Sequence, residues 1–156
     1  MVEFALTFPI FLMLVYGIFE VGRMIFMYSA VLNASRDAAR YAAASGVNED
    51  GVQFYRDCDG IKSRAERVSG FVDLSATDAI MIAYDHGPVT GAEDEVISPF
   101  ASCPLASGTK LNYGDRVIVK IDTTFEPIAP IPHLTEIPIV ASTTRSVVTD
   151  VNIWTP

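Results

Sequence analysis

Charge is what the first part of this chain lacks. No charged residue stands between Glu3 and Glu20, and no Lys or Arg precedes Arg23. A secretory signal opens on basic residues and closes on a small-residue cleavage site. Here the chain opens on an acid, and Glu20-Val21-Gly22-Arg23 reads as helix continuing. Positive charge is scarce throughout: 11 Lys and Arg against 19 Asp and Glu leave a net charge of −8, which argues against a sequence-independent grip on nucleic acid. Cysteine is nearly absent. Cys58 and Cys103 lie far apart without a C-x-x-C, so a zinc site is not expected. There is no GxSxG, P-loop, HExxH or paired Cys-His set. His86 and His133 sit in turn-like sequence (DHGP and IPHL) and read as surface residues. Asp57-Cys58-Asp59-Gly60 and Glu93-Asp94-Glu95 lack the spacing of a calcium loop and read as solvated turns. Asn33-Ala34-Ser35 matches a glycosylation sequon but falls in mid-helix. The chain does not read as an enzyme, and no cofactor or metal is expected.

What is present is a helix out of proportion to the rest. From Met1 to about Ser45 the pattern is helical throughout, first apolar and then, beyond Arg23, amphipathic and alanine-rich, ending at Gly46 as a C-cap. Such a helix would be on the order of 65 Å long, longer than a domain of the remaining hundred or so residues needs. The apolar run of sixteen residues between Glu3 and Glu20 falls slightly short of the ~20 of a full membrane span. Val21, Met24, Ile25 and Phe26 extend it if Glu20 and Arg23 snorkel or pair. Pro9 removes a backbone hydrogen bond and crowds the carbonyl of Ala5, so a kink is expected there, with Gly17 a second soft point. A mean hydropathy of +0.32 fits a helix that visits a bilayer.

Beyond Glu20 the residues Val21, Ile25, Tyr28, Leu32, Ser35, Ala39 and Ala42 recur at helical spacing as one face, with Asn33, Arg36, Asp37 and Arg40 on a polar one. Ala34, Ala38, Ala39, Ala42, Ala43 and Ala44 either admit another backbone closely or simply favour helix. Val47 to Gly60 reads as a loop, and Ile61 to Val72 as a short helix with Ile61, Ala65, Val68 and Val72 on one face. Three strands are predicted at Asp78–Tyr84, Asp115–Phe125 and Ile137–Val148, the second alternating Val117, Val119 and Ile121 against Ile118, Lys120 and Asp122. A long polar loop, His86 to Asn112, carries Cys103, and Pro127, Pro130, Pro132 and Pro138 break up the last connection. The fold class is α+β: a long N-terminal helix (1–46) and a small head (47–156) holding a short helix and a three- to four-stranded antiparallel sheet. Cys58 and Cys103 are either two free thiols or one disulfide; their polar, loop-like surroundings favour a disulfide stapling the head.

The segments MVEFALTFPIF, Gly17-Ile18-Phe19-Glu20-Val21-Gly22-Arg23 and Asn33-Ala34-Ser35-Arg36-Asp37-Ala38-Ala39-Arg40-Tyr41-Ala42 together resemble the TadE-like pilins of tight-adherence (Flp-type) pili, within the type IV pilin group. The resemblance is dense over residues 1–46 and weaker beyond. It implies a precursor cut by a prepilin peptidase, an inner-membrane stage, and extraction by the pilus assembly machinery into an extracellular helical filament of identical copies used for adhesion. In that family the early glutamate stands fifth in the mature chain, whereas here it is third. The lack of a basic leader is what a mature chain would show. Glu3 then sets the filament register by pairing with a neighbour's N-terminal amine; the other reading is a glutamate favoured by the helix dipole. Phe4, Phe8, Phe11, Leu12, Val15, Phe19, Ile25 and Leu32 would pack helix against helix in the filament core. A minor pilin, acting as a tip-located binding module or assembly initiator through the Asp85–Asn112 loop, is the alternative. A single-pass anchored domain that never polymerises is a third.

Overall fold

The computed structural model describes residues 2–70, 72–74, 78–87, 99–112, 114–128 and 136–148, with the side chains of Val2, Glu3 and Ala5 outside that description. Helix α1, Val2–Ala42, runs unbroken through Pro9 and Gly17. Its upper third buries Val31, Ala34, Ser35, Ala38, Ala39 and Ala42, a stripe at three- and four-residue steps. Ser35, Ala39 and Ala42 are on it, while Val21, Ile25 and Tyr28 are exposed and Leu32 is half-buried beside it. Ala34, Ala38, Ala39 and Ala42 do admit a close neighbour, the chain's own sheet and second helix, whereas Ala44 is exposed.

Val47 bridges Gln53, and a 3-10 turn at Phe54–Arg56 leads into α2, Cys58–Ser69, so the stretch read as loop is partly ordered. The helix starts three residues before the predicted Ile61 because Asp57 caps it, its carboxylate accepting the Gly60 N–H at 2.9 Å. It stops short of Val72 because Gly70 takes φ +58°, which a side chain resists. Ile61 and Ala65 are buried as expected, whereas Val68 is exposed.

Four antiparallel strands follow: β1 (Ile80–Asp85), β2 (Ala101–Ser102), β3 (Arg116–Phe125) and β4 (Ile137–Ser146), in the order β2-β1-β3-β4. The short β2 lies within the segment expected to be loop. Alternation places Ile80, Ile82 and Tyr84 of β1, Val117, Val119 and Ile121 of β3, and Ile139 and Ala141 of β4 on the covered face. There α1 meets β3 and β4. A polar contact crosses the interface, Ser35 Oγ to Thr143 Oγ1 at 2.9 Å. Because Ser35 is fully buried, that contact and its bond to the Leu32 carbonyl satisfy the hydroxyl. The disulfide between Cys58 and Cys103 ties the start of α2 to the end of β2 across 45 residues. Tyr84 reinforces the junction, its hydroxyl donating to the Tyr55 carbonyl.

Candidate functional site

Below the head, α1 is bare. Eleven large apolar side chains between Phe4 and Phe19 are exposed, with Phe4 at 71% and Met13 at 78%. None of the described residues covers them, and they face every direction around the helix. Burying a side chain of this size stabilises by about 1.5–3 kcal/mol, so the segment as a whole favours an apolar surrounding by some tens of kcal/mol. From Phe4 to Arg23 is 20 residues, or roughly 30 Å of helix, which equals the thickness of a bilayer's hydrocarbon core. Among the described residues one helix is long and apolar enough to cross a membrane, and it is this one. Phe4, Phe8, Phe11, Leu12, Val15, Phe19 and Ile25 all belong to its exposed surface, while Leu32 packs partly against the head core. Glu3 lies on α1, but its side chain is outside the described residues.

The bare segment ends at a neck built from four side chains and one loop. Glu20 is 9% exposed although it stands on a helix that is otherwise open to solvent there. Its carboxylate accepts from Arg23 Nη2 at 3.1 Å and Nε at 3.3 Å, from the Tyr16 hydroxyl, and from the Ile128 backbone N–H at 3.0 Å. Arg23 also donates to the Glu126 carbonyl and lies 4.5 Å from the Phe125 ring centroid. The turn of chain leaving β3 is thus clamped to the middle of α1. This answers how two charges at the edge of an apolar helix are accommodated: they pair with each other and with the head. The i,i+3 pair was legible in the sequence; its third partner, 108 residues away, was not.

A second cluster roots the segment that connects β1 to β2. Asp85 is buried, and Arg116 grips it with two bonds of 2.7 Å, Nε to Oδ1 and Nη2 to Oδ2. The guanidinium holds the Asp85 carboxyl below its ordinary range. His86, exposed as expected, bonds Asp115 Oδ1 through Nδ1 at 2.8 Å and stacks on Phe100. Residues 88–98 with Glu93, Asp94 and Glu95, and also His133, Pro130 and Pro132, lie outside the described residues. Asp57 is committed to the fold, accepting from Tyr41, Asn48 and Gly60; the Tyr41 hydroxyl bond is the main reason its carboxyl sits below the usual range. Among the described residues no three His, Cys, Asp or Glu side chains converge to hold a metal.

A small α+β head clamped to a long helix whose lower half is bare and apolar defines a membrane-capable stalk-and-head protein. Residues 1–40 match the family model described as TadE-like protein, a match consistent with a TadE-like pilin of the Tad pilus group. It covers the bare segment, the helical side of the neck and most of the stripe that the head buries. The match suggests a pilin-like protein associated with the Tad pilus, a structural class of protein. No curated protein and no solved structure matches the chain.

Proposed function

We propose that the chain is a structural pilin subunit that polymerises through its N-terminal helix into an extracellular Tad-type pilus used for adhesion. The observation that carries this reading is the bare segment, Phe4 to Phe19, continuous with a helix that packs into a folded head and is hydrogen-bonded to it at Glu20. Such a surface is stable only in a bilayer or among other helices. The chain would reside in the inner membrane after processing by a prepilin peptidase, and the assembly machinery would then transfer it to the filament. There copies stack head to tail, an arrangement that grows without closing. Glu3 would pair with a neighbour's N-terminal amine, which is the cation at hand because no Lys or Arg precedes Arg23.

The test is electron microscopy of sheared surface filaments with mass spectrometry of their subunits. Filaments composed mainly of this chain support the reading. A chain found only in the membrane fraction removes it. Glu3→Ala should lower filament incorporation while the head stays folded; undiminished pilus yield would remove the register role. A second reading, a minor pilin that binds or initiates at the tip, is favoured by the buried Asp85–Arg116 root of the connection from β1 to β2. It predicts trace amounts beside a much smaller subunit.

A further inference from the structure

The fold uses four of its eight arginines internally. Arg23 and Arg116 pair with carboxylates, Arg56 donates to the carbonyls of Ala106 and Thr109, and Arg64 covers the Tyr41 ring. Of the four left over, three share one cleft. Arg36 and Arg40 of α1 face Arg145 of β4 across a space of about 520 Å³, with Asn33, Asp37 and Val68 completing the walls. None of the three makes an ion pair or hydrogen bond among the described residues, and all three are exposed. Among the described residues of the cleft, three guanidinium groups thus stand against one carboxylate, that of Asp37, in a chain whose net charge is −8.

From the geometry we propose that this cleft is an interface that receives a carboxylate-bearing surface of a second copy of the chain; the proposal rests on the polymerising reading above. Two observations select that occupant. The cleft lies at the upper end of one continuous exposed stripe of α1. Phe19, Gly22, Phe26, Ser29 and Asn33 follow one another at three- and four-residue steps, and the same steps lead to Arg36 and Arg40. That period is the one along which a second helix packs. A neighbour seated on the bare segment and following the stripe upward arrives at the cleft. The second observation is charge. Copies bearing −8 each repel when their heads are brought side by side. A basic cleft opposite an acidic surface turns one part of that contact attractive and fixes which side of a head meets its neighbour. Anionic lipid is the occupant the geometry disfavours. Arg36 and Arg40 stand 13 and 17 residues beyond Arg23, about 20–25 Å of helix. The headgroup layer reaches only about 5–8 Å past the hydrocarbon edge.

The test uses the full chain in its own cell envelope, with a photo-reactive residue replacing Asn33. The expected product is a covalent dimer, at twice the 17.0 kDa of one chain, whose attachment maps to an Asp- or Glu-bearing peptide of the second copy. Attachment to lipid, attachment to a different protein, or no adduct overturns the proposal. In the same background the double variant Arg36→Glu, Arg40→Glu should lose at least tenfold of the dimer, and Arg36→Lys, Arg40→Lys should keep it within about twofold. Equal yields in all three overturn it. Retention of the Cys58–Cys103 bond and of protease resistance reports that the variant head is folded; should it misfold, the adduct of the otherwise native chain decides alone. A mapped dimer from membranes of cells that make no filament would sink polymerisation and leave the interface standing. Normal filaments from the charge-reversed chain would do the opposite.

Discussion

Removing the Cys58–Cys103 bond is the perturbation whose size follows most directly from the structure. The bond closes a segment of 45 residues. In the chain-entropy account such a loop restricts the unfolded state by about 4 kcal/mol at 25 °C. Part of that is not recovered, because a denatured chain keeps residual order, so a loss of about 2–4 kcal/mol is expected in Cys58→Ser, Cys103→Ser. For a chain of this length each kcal/mol moves the melting midpoint by about 2–4 °C, which predicts a drop of roughly 5–15 °C. The loss has a location as well as a size. Strand β2 has only two residues and two pairings with β1, Ala83 with Ser102 and Tyr84 with Ala101. The disulfide lies one residue beyond it, so β2 should detach before the rest. The long β3–β4 ladder, paired from Arg116–Ser146 to Phe125–Ile137, should hold. Circular dichroism melts in mild detergent read the global term, since the bare helix contributes a constant background. Amide exchange reads the local one, at Phe100 and Cys103, whose N–H groups donate to the Tyr84 and Ile82 carbonyls. A midpoint shift below about 2 °C, or exchange no faster at those two amides than along β3, would refute the reasoning.

At the neck, Glu20→Ala removes the acceptor of the Ile128 N–H; exchange at that amide should rise at least tenfold while β3 amides stay protected, and unchanged exchange would mean the clamp is not holding the turn. At the root of the β1–β2 connection, Asp85 has its folded-state carboxyl held below the ordinary value of 3.8 by Arg116, so its contribution is present above the unfolded value and fades as pH falls through the lower folded one. The stability gap between native chain and Asp85→Asn should therefore be flat from about pH 7 to 5 and close below about 4; a gap that widens in acid contradicts that assignment. In the covered stripe, Ala38→Leu forces a larger side chain against the sheet and should cost about 1–3 kcal/mol, measurable by denaturant unfolding, whereas the same change at exposed Ala44 should cost little.

Much of the architecture was legible because it depends on local periodicity. An uninterrupted apolar run followed by alanine-rich helical spacing specifies α1, since no competing pattern or breaker stands between Val2 and Ala42 except Pro9. Strict alternation over Val117 to Ile121 specifies β3 and the face it buries. Where local signals were short, boundaries moved. Asp57 as an N-cap was hidden in a run that also reads as a turn, and β2 is too brief to carry any period. How far the head covers the helix was not legible either: Val21, Ile25 and Tyr28 are apolar, but apolar residues on this helix do not mark the head's core. On a helix meant for an apolar surrounding, hydrophobicity no longer tells inside from outside.

The sequence by itself determined that the chain carries a helix needing an apolar environment, that the rest is a small α+β unit, and that its motifs resemble a pilin family. Those conclusions rest on composition, period and motif, each contained in a window of neighbouring residues. Only the tertiary structure decided that the alanine stripe is covered by the chain's own sheet, that Glu20 and Arg23 clamp a turn 108 residues distant, and that Arg36, Arg40 and Arg145 converge. Each depends on which surfaces meet after the chain folds back on itself. Burial and charge pairing are properties of that meeting, and no window of neighbouring residues contains them.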